Sequence, residues 1–242
     1  MDITYKGTNF NGWQAQPNGT TIQEEIENGL KLLLKEHTPI TGSGRTDSGV
    51  HARQQIAHFD AKDISPDQLA YKLNSLLSKD IAINSIKEVN PEANARFSAE
   101  SRLYHYHLHQ RKDPFRQYSY YFNPPLDVEK INKACKILCS WQNFECFSRV
   151  HTEVNHFNCD LLEADWIQKG DEHLFKVRAN RFLRGMVRAV VGTLLDIGTN
   201  KTSLEEFRAI LKSNDRSQAG RSVPADGLYL QEVIYPSDIY LD

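Results

Sequence analysis

Apolar residues recur at helical spacing in four capped segments of this chain. Thr21-x-x-Glu24 forms a capping box, and Ile22, Ile26, Leu30, Leu33 and Leu34 follow on one face, which predicts a helix. Ser65-Pro66-x-Gln68 opens a second helix carrying Leu69, Leu73, Leu76 and Leu77. Asp127 starts a third that runs through Cys139, and Ser203-x-x-Glu206 starts a short one with Leu204, Phe207, Ile210 and Leu211. A further helix is predicted from about 180 to 195. On a wheel of ~100° per residue, Phe182, Leu183, Met186, Val187, Val190, Val191 and Leu194 fill a broad apolar arc. Gly185, Ala189 and Gly192 form a narrow stripe of small residues where another backbone could approach closely. Arg181, Arg184 and Arg188 share a third edge, with Arg188 nearest the apolar arc. An arginine there either snorkels to solvent or reaches a buried carboxylate.

Short β-like stretches lie between the helices, at 54–59, 81–89, 103–109, 161–167, 174–179 and 228–235. Strands and helices mix without strict alternation. That predicts an α+β fold, a sheet with helices on one side, rather than a parallel βα array. The proline-rich, aromatic segment 114–125 reads as a connecting loop. The halves 1–100 and 101–242 each hold about two helices and several strands, so two subdomains of similar content are expected.

Composition narrows the class. With 40% hydrophobic and 25% charged residues the chain reads as an ordinary soluble globular protein. It has no run of ~18 apolar residues, so no membrane-spanning helix is expected. The opening residues show neither a basic n-region nor an apolar h-region, which predicts a cytoplasmic protein. Four cysteines, at 135, 139, 146 and 159, fit no zinc ribbon spacing. Cys135 and Cys139 fall four apart in a helical pattern and read as small core residues. The net charge of −2 gives no general affinity for phosphate, so a nucleic-acid surface would have to be a local patch.

The densest chemistry is the string Gly42-Ser43-Gly44-Arg45-Thr46-Asp47-Ser48-Gly49-Val50-His51-Ala52. Glycines let a backbone bend sharply and approach a ligand closely. The string nevertheless fails both phosphate templates. The dinucleotide fingerprint would need glycine at Asp47, and the P-loop would need a terminal Gly-Lys-Ser/Thr. A carboxylate inside such a loop repels phosphate and suits chemistry on a neutral group. Taken alone, Asp47 could equally be an Asx-turn residue or helix cap, or a partner of Arg45.

The whole string closely resembles the signature of the tRNA pseudouridine synthases that act on the anticodon stem-loop, the synthase A family. The resemblance runs in order along nearly the entire chain. It includes Gly12-Trp13-Gln14-x-Gln16 with Thr21-Ile22-Gln23, Arg96-Phe97-Ser98-Ala99, and Arg102-x-Tyr104-x-Tyr106. Later come Asn180-x-Phe182-Leu183-x-x-Met186-Val187-Arg188 with Gly192-Thr193-Leu194, and Pro224-Ala225-x-Gly227-Leu228-Tyr229-Leu230-x-x-Val233-x-Tyr235. The chain departs from the pattern in a short first strand, 2–5, and around 155–158, where an arginine would be expected.

The resemblance implies Asp47 as the catalytic carboxylate and Tyr104 as the residue stacking on the target uracil. It implies that Arg188 pairs with Asp47 and keeps it charged, and that Arg45 fills the space left by a flipped nucleotide. It implies uridines at positions 38–40 as targets and an α/β fold of two similar subdomains. Their antiparallel or mixed sheets would be joined into one extended sheet, with the active cleft between them. A homodimer with one tRNA reaching across both subunits is implied too. The reaction exchanges nothing with outside reagents, so no cofactor is expected.

Two other readings stay open on sequence. A catalytically silent tRNA-binding or RNA-folding protein would keep the surface without the chemistry. A metal-dependent hydrolase would use His105, His107 and His109, which alternate onto one strand face. That row has no acidic or cysteine partner nearby, and a polar solvent-facing row is the simpler reading. Tyr104, Tyr106 and Leu108 share the other face, where a core role is the plain alternative for Tyr104.

Overall fold

A computed structural model describes residues 1–62, 64–149 and 154–241. It contains nine strands and five α-helices among those residues. The strands are β1 (Asp2–Tyr5), β2 (Thr41–Gly42), β3 (His51–His58), β4 (Ile81–Ser85), β5 (Ser101–His109), β6 (Tyr120–Tyr121), β7 (Leu161–Lys169), β8 (Glu172–Ala179) and β9 (Leu228–Ile234). The helices are α1 (Ile22–Leu34), α2 (Pro66–Leu76), α3 (Val128–Cys139), α4 (Met186–Gly198) and α5 (Leu204–Ser213). This is the α+β mixture expected from the patterning. The chain forms two compact units, one of Met1–Arg102 with Tyr229–Asp242, the other of Leu103–Leu228.

In the first unit the strand order is β4-β1-β3-β9, with β2 added to β3. β1 runs antiparallel to both neighbours, pairing Asp2 with Ile56 and Thr4 with Ala82. β3 and β9 are parallel, with His51 opposite Tyr229. Ile3, Tyr5, Ala57, Ile81 and Ile83 of the strands and Ile22, Ile26, Leu30, Leu69 and Leu73 of α1 and α2 are all buried, with α2 packed on β4 and on α1. Thr21 caps α1 as predicted, its hydroxyl accepting from the Glu24 amide at 3.3 Å.

In the second unit the order is β5-β8-β7, with β6 added to β5. β7 and β8 form a hairpin that turns at Gly170, whose φ of +63° suits glycine. Along β8, His173, Phe175, Val177 and Ala179 are buried while the residues between them are not. α3 packs on β7. Asn132 of α3 bonds both ways with the Trp166 main chain, at 2.9 Å each, in place of a further strand. At α5 both halves of the Ser203–Glu206 capping box are formed.

Three expectations change. The helix predicted from about 180 begins at Met186. Asn180 instead prolongs the β7–β8 pairing, its main chain and side chain bonding Asp160. Gly185, at φ +73°, then turns the chain into α4. Arg181 and Arg184 therefore precede α4 and share no helical edge with Arg188, because Phe182 and Leu183 fell at helical spacing while lying in a turn. Cys139, read as a core residue, is exposed near the end of α3, whereas Cys135, Cys146 and Cys159 are buried. The histidine row is not a uniform solvent face, since His109 is buried against Ser119 and Tyr121.

Candidate active site

The Asp47 loop leaves β2 and enters β3, and its main chain is held from several directions. On the β3 side, buried Gln55 accepts a hydrogen bond from the Ser43 hydroxyl and donates to the Gly44 carbonyl at 2.8 Å. On the β1 side, the Tyr5 phenol and the Thr46 hydroxyl meet at 2.8 Å in a buried contact. The Trp13 amide donates to the Thr46 carbonyl at 3.2 Å. Trp13 is 2% exposed, and its ring lies under Gly42, where a Cβ would come within 2.6 Å of it. Downstream, the Val50 amide closes a tight turn on the Asp47 carbonyl at 3.1 Å, with Gly49 at φ +82°.

The Gly-Trp-Gln segment and the start of α1 support this loop. The Ile22 and Gln23 amides donate to the Gly12 and Trp13 carbonyls. The Gln23 side chain bonds Gln14, the Ala15 amide, Glu27 and the Ile40 carbonyl. The loop thus presents Arg45 to solvent and leaves Asp47 half-buried at its turn, while Thr46 between them is locked inward. Alternate residues divide the work, Ser43 and Thr46 anchoring and Arg45 and Asp47 facing outward. At the loop's far end, buried His51 accepts from the Gly7 amide at 3.2 Å and stacks on Tyr229 at 4.7 Å.

Tyr104 and Arg188 belong to the second unit. Tyr104 is half-buried on β5, and Phe182 meets it edge-on at 5.1 Å and 86°. That contact fixes the ring plane and leaves the tyrosine short of the core, unlike fully buried Tyr106. Arg188 lies in the first turn of α4 and donates from Nε to the Val223 carbonyl at 2.7 Å. The Val223 amide returns a bond to the Arg188 carbonyl at 3.2 Å. Tyr106 donates to the next carbonyl, Pro224, at 3.0 Å, and burial pushes its phenol far above the ordinary range. Segment 220–224 thereby ties α4 to β5. Its close approach depends on Gly192, where a Cβ would fall 1.8 Å from the Arg221 carbonyl oxygen; Gly185, expected to share that stripe, precedes α4, and a Cβ there would meet nothing within 4 Å.

The remaining arginines differ. Arg181 reaches the His156 ring at 3.2 Å, and the Arg184 carbonyl accepts from the Arg149 amide. Both lie in the link between β8 and α4. Among the described residues no group of three His, Cys, Asp or Glu is arranged to hold a metal. His105 and His107 meet only edge-on, 6.1 Å apart. Neither Gln55 nor Val223 was assigned a function from sequence. A glutamine at an inward-facing strand position was the available signal for Gln55; for Val223, whose main chain does the work, there was none.

The tRNA pseudouridine synthase family profile matches residues 3–98 and 134–236. The chain belongs to this family. It is 48% identical to tRNA pseudouridine synthase A of Parabacteroides distasonis over 241 residues, 98% of this chain and 96% of the relative. Identity to the enzyme of the same name from Bacteroides fragilis is 44% over 243 residues, covering 98% and 96%. To that of Bacillus subtilis it is 39% over 239 residues, covering 96% and 97%. Membership places the chain among isomerases. The profile covers the Asp47 loop and the start of α4, while the Tyr104 strand lies in the stretch between its two matched segments. Among the described residues no helix is long and apolar enough to cross a membrane.

Proposed function

We propose that this chain converts uridine to pseudouridine in the anticodon stem-loop of tRNA, at positions 38–40, with Asp47 as the catalytic carboxylate. The observation that carries the reading is the Asp47 loop itself. Gln55, Tyr5, Thr46 and the Trp13 main chain anchor it from within, and the Ser48 hydroxyl bonds the Phe10 carbonyl at 3.1 Å, so the fold invests in holding a half-buried carboxylate at a tight turn. Isomerisation breaks the N1–C1′ bond, turns the base and joins C5 to C1′; the C5 proton leaves and N1 gains one. No redox cofactor or group donor is required. A carboxylate acting as nucleophile or base meets that need.

The target base is inaccessible while stacked, so it must be extruded. Tyr104, steadied by Phe182, supplies the aromatic platform, worth ~1–3 kcal/mol per stacked base. Arg188, pinned through Nε, supplies positive charge to Asp47, and Arg45 fills the space the base vacates. On this reading the protein acts in the cytoplasm as a homodimer, with one tRNA reaching across both subunits.

The test is tritium release from uracil-C5-labelled tRNA incubated with the protein alone in EDTA, followed by mapping of the modified positions. Release confined to 38–40 is expected. Binding of tRNA without release would favour the silent RNA-binding alternative. Release that stops in EDTA and returns with zinc would point to a metal enzyme.

A further inference from the structure

Arg96 and Phe97 project from a turn whose backbone is unusually well anchored. Phe97 is 77% exposed, and the Arg96 guanidinium lies over its ring at 5.2 Å. The Asn94 side chain accepts from the Arg96 and Phe97 amides at 2.9 and 3.1 Å. Ser98 closes the turn on Asn94 through both its amide and its hydroxyl. The Ala95 amide donates to His58 at 3.0 Å, and the Ala95 carbonyl accepts from the Tyr235 phenol. Nearly every polar group of the turn is engaged, yet the large apolar side chain it carries meets water. A single exposed aromatic is ordinary. One held by this many bonds on a fixed turn is preorganised for a partner.

Arg102 connects that turn to the Asp47 loop. Its guanidinium donates to the Ala99 carbonyl at 3.0 Å, to the Arg96 carbonyl, and to the Ser43 carbonyl at 2.9 Å. One rigid side chain thus fixes the Arg96–Phe97 pair relative to the stem of the loop carrying Asp47. All of these residues belong to the first unit. We propose that Phe97, with Arg96 over it, is a second stacking platform. It would receive an unpaired base of the RNA substrate outside the reaction centre and hold the loop in register with Asp47. A π-face with an adjacent cation suits a nucleobase next to its phosphate, and only an unstacked base can reach it. The proposal rests on the RNA substrate inferred above, but not on the role of Asp47.

Phe97 is exposed and packs on no core, so its variants should fold. Binding of full-length tRNA, a 17-nucleotide anticodon stem-loop and a blunt RNA duplex of matched length would be compared for wild type, Phe97→Ala and Phe97→Trp. Single-turnover tritium release at saturating enzyme would be measured alongside. Phe97→Ala should weaken the stem-loop roughly 10-fold, the usual scale for one stacked base. It should leave duplex binding within about twofold, and Phe97→Trp should restore affinity. Unchanged stem-loop affinity in Phe97→Ala would overturn the proposal, as would an equal loss for the duplex or failure of tryptophan to rescue. A wild-type protein that binds but releases no tritium would refute the isomerase reading, while the binding comparison would still decide this one.

Discussion

Replacing Gly12 by alanine is the sharpest structural test of how the Asp47 loop is held. Gly12 sits at φ +86°, and a Cβ there would lie 2.5 Å from the Thr46 carbonyl oxygen and 3.2 Å from the Asp47 carbonyl carbon. A left-handed residue other than glycine costs roughly 1–2 kcal/mol. The clash is with backbone, so no rotamer relieves it, and overpacking of this kind costs roughly 1–3 kcal/mol. Displacing Thr46 also strains the Trp13–Thr46 hydrogen bond, worth about 1 kcal/mol. Reduced freedom of the unfolded chain returns about 0.4–1 kcal/mol. The expected net loss is roughly 2–5 kcal/mol in urea denaturation. Because the displaced peptide carries Asp47, single-turnover isomerisation should fall about 100-fold, the scale of a misplaced reacting group. Gly44→Ala is the internal control, since a Cβ there meets nothing within 4 Å. Its stability should stay within about 0.5 kcal/mol of wild type. Equal costs for the two substitutions, or a wild-type rate in Gly12→Ala, would refute this picture of the loop.

Arg188→Ala should lower the single-turnover rate by roughly 100-fold or more, as removal of a preorganised charge does. Arg181→Ala and Arg184→Ala, which lie before α4, should weaken tRNA binding in a salt-dependent way with near-normal saturated rates. Burial holds His58, His105, His109 and His173 below the ordinary histidine range. Across the window below about pH 6.5 the unfolded chain then binds more protons, so stability should fall as pH falls there. Urea midpoints at pH 7.5 and 5.5 check this, and His173→Gln should flatten the slope. A disulfide-exchange reagent should label exposed Cys139 in the native protein, though slowly, because partial burial pushes its thiol up. Cys146 and Cys159, whose thiols burial pushes up to about 12 and about 11, should react only after denaturation.

The sequence was most legible where local chemistry and periodicity agree. The Thr21, Asp127 and Ser203 starts each led to a helix within a residue of the expected place, because a side-chain cap fixes a boundary that periodicity alone does not; at Ser65, whose side chain makes no cap bond, Pro66 at the first turn marks the start instead. The start of α4 shows the converse. Nothing capped Asn180, and Phe182 and Leu183 mimicked a helical face while packing in a turn. His109 and Cys139 exchanged their expected environments because a strand or helix wheel assigns a face without knowing what covers it: β6 shelters His109, while Cys139 near the end of α3 is exposed. At the candidate site, Asp47, Arg45, Tyr104 and Arg188 stood in recognisable strings. The scaffold beneath them did not. The reciprocal Arg188–Val223 bonds and the three-carbonyl clasp of Arg102 end on main-chain groups, which carry no sequence signature, and the Gln55 anchor had only an inward-facing glutamine to mark it.

If Asp47 does the chemistry and is not merely a turn residue, its carboxylate is needed for turnover but not for folding or tRNA binding. Single-turnover tritium release from uracil-C5-labelled tRNA, with tRNA affinity and urea stability measured on the same preparations, tests it in Asp47→Ala. The account predicts no detectable release, with binding and stability close to wild type. Release at the wild-type rate would contradict it outright, and loss of folding with the side chain would return Asp47 to a purely structural role.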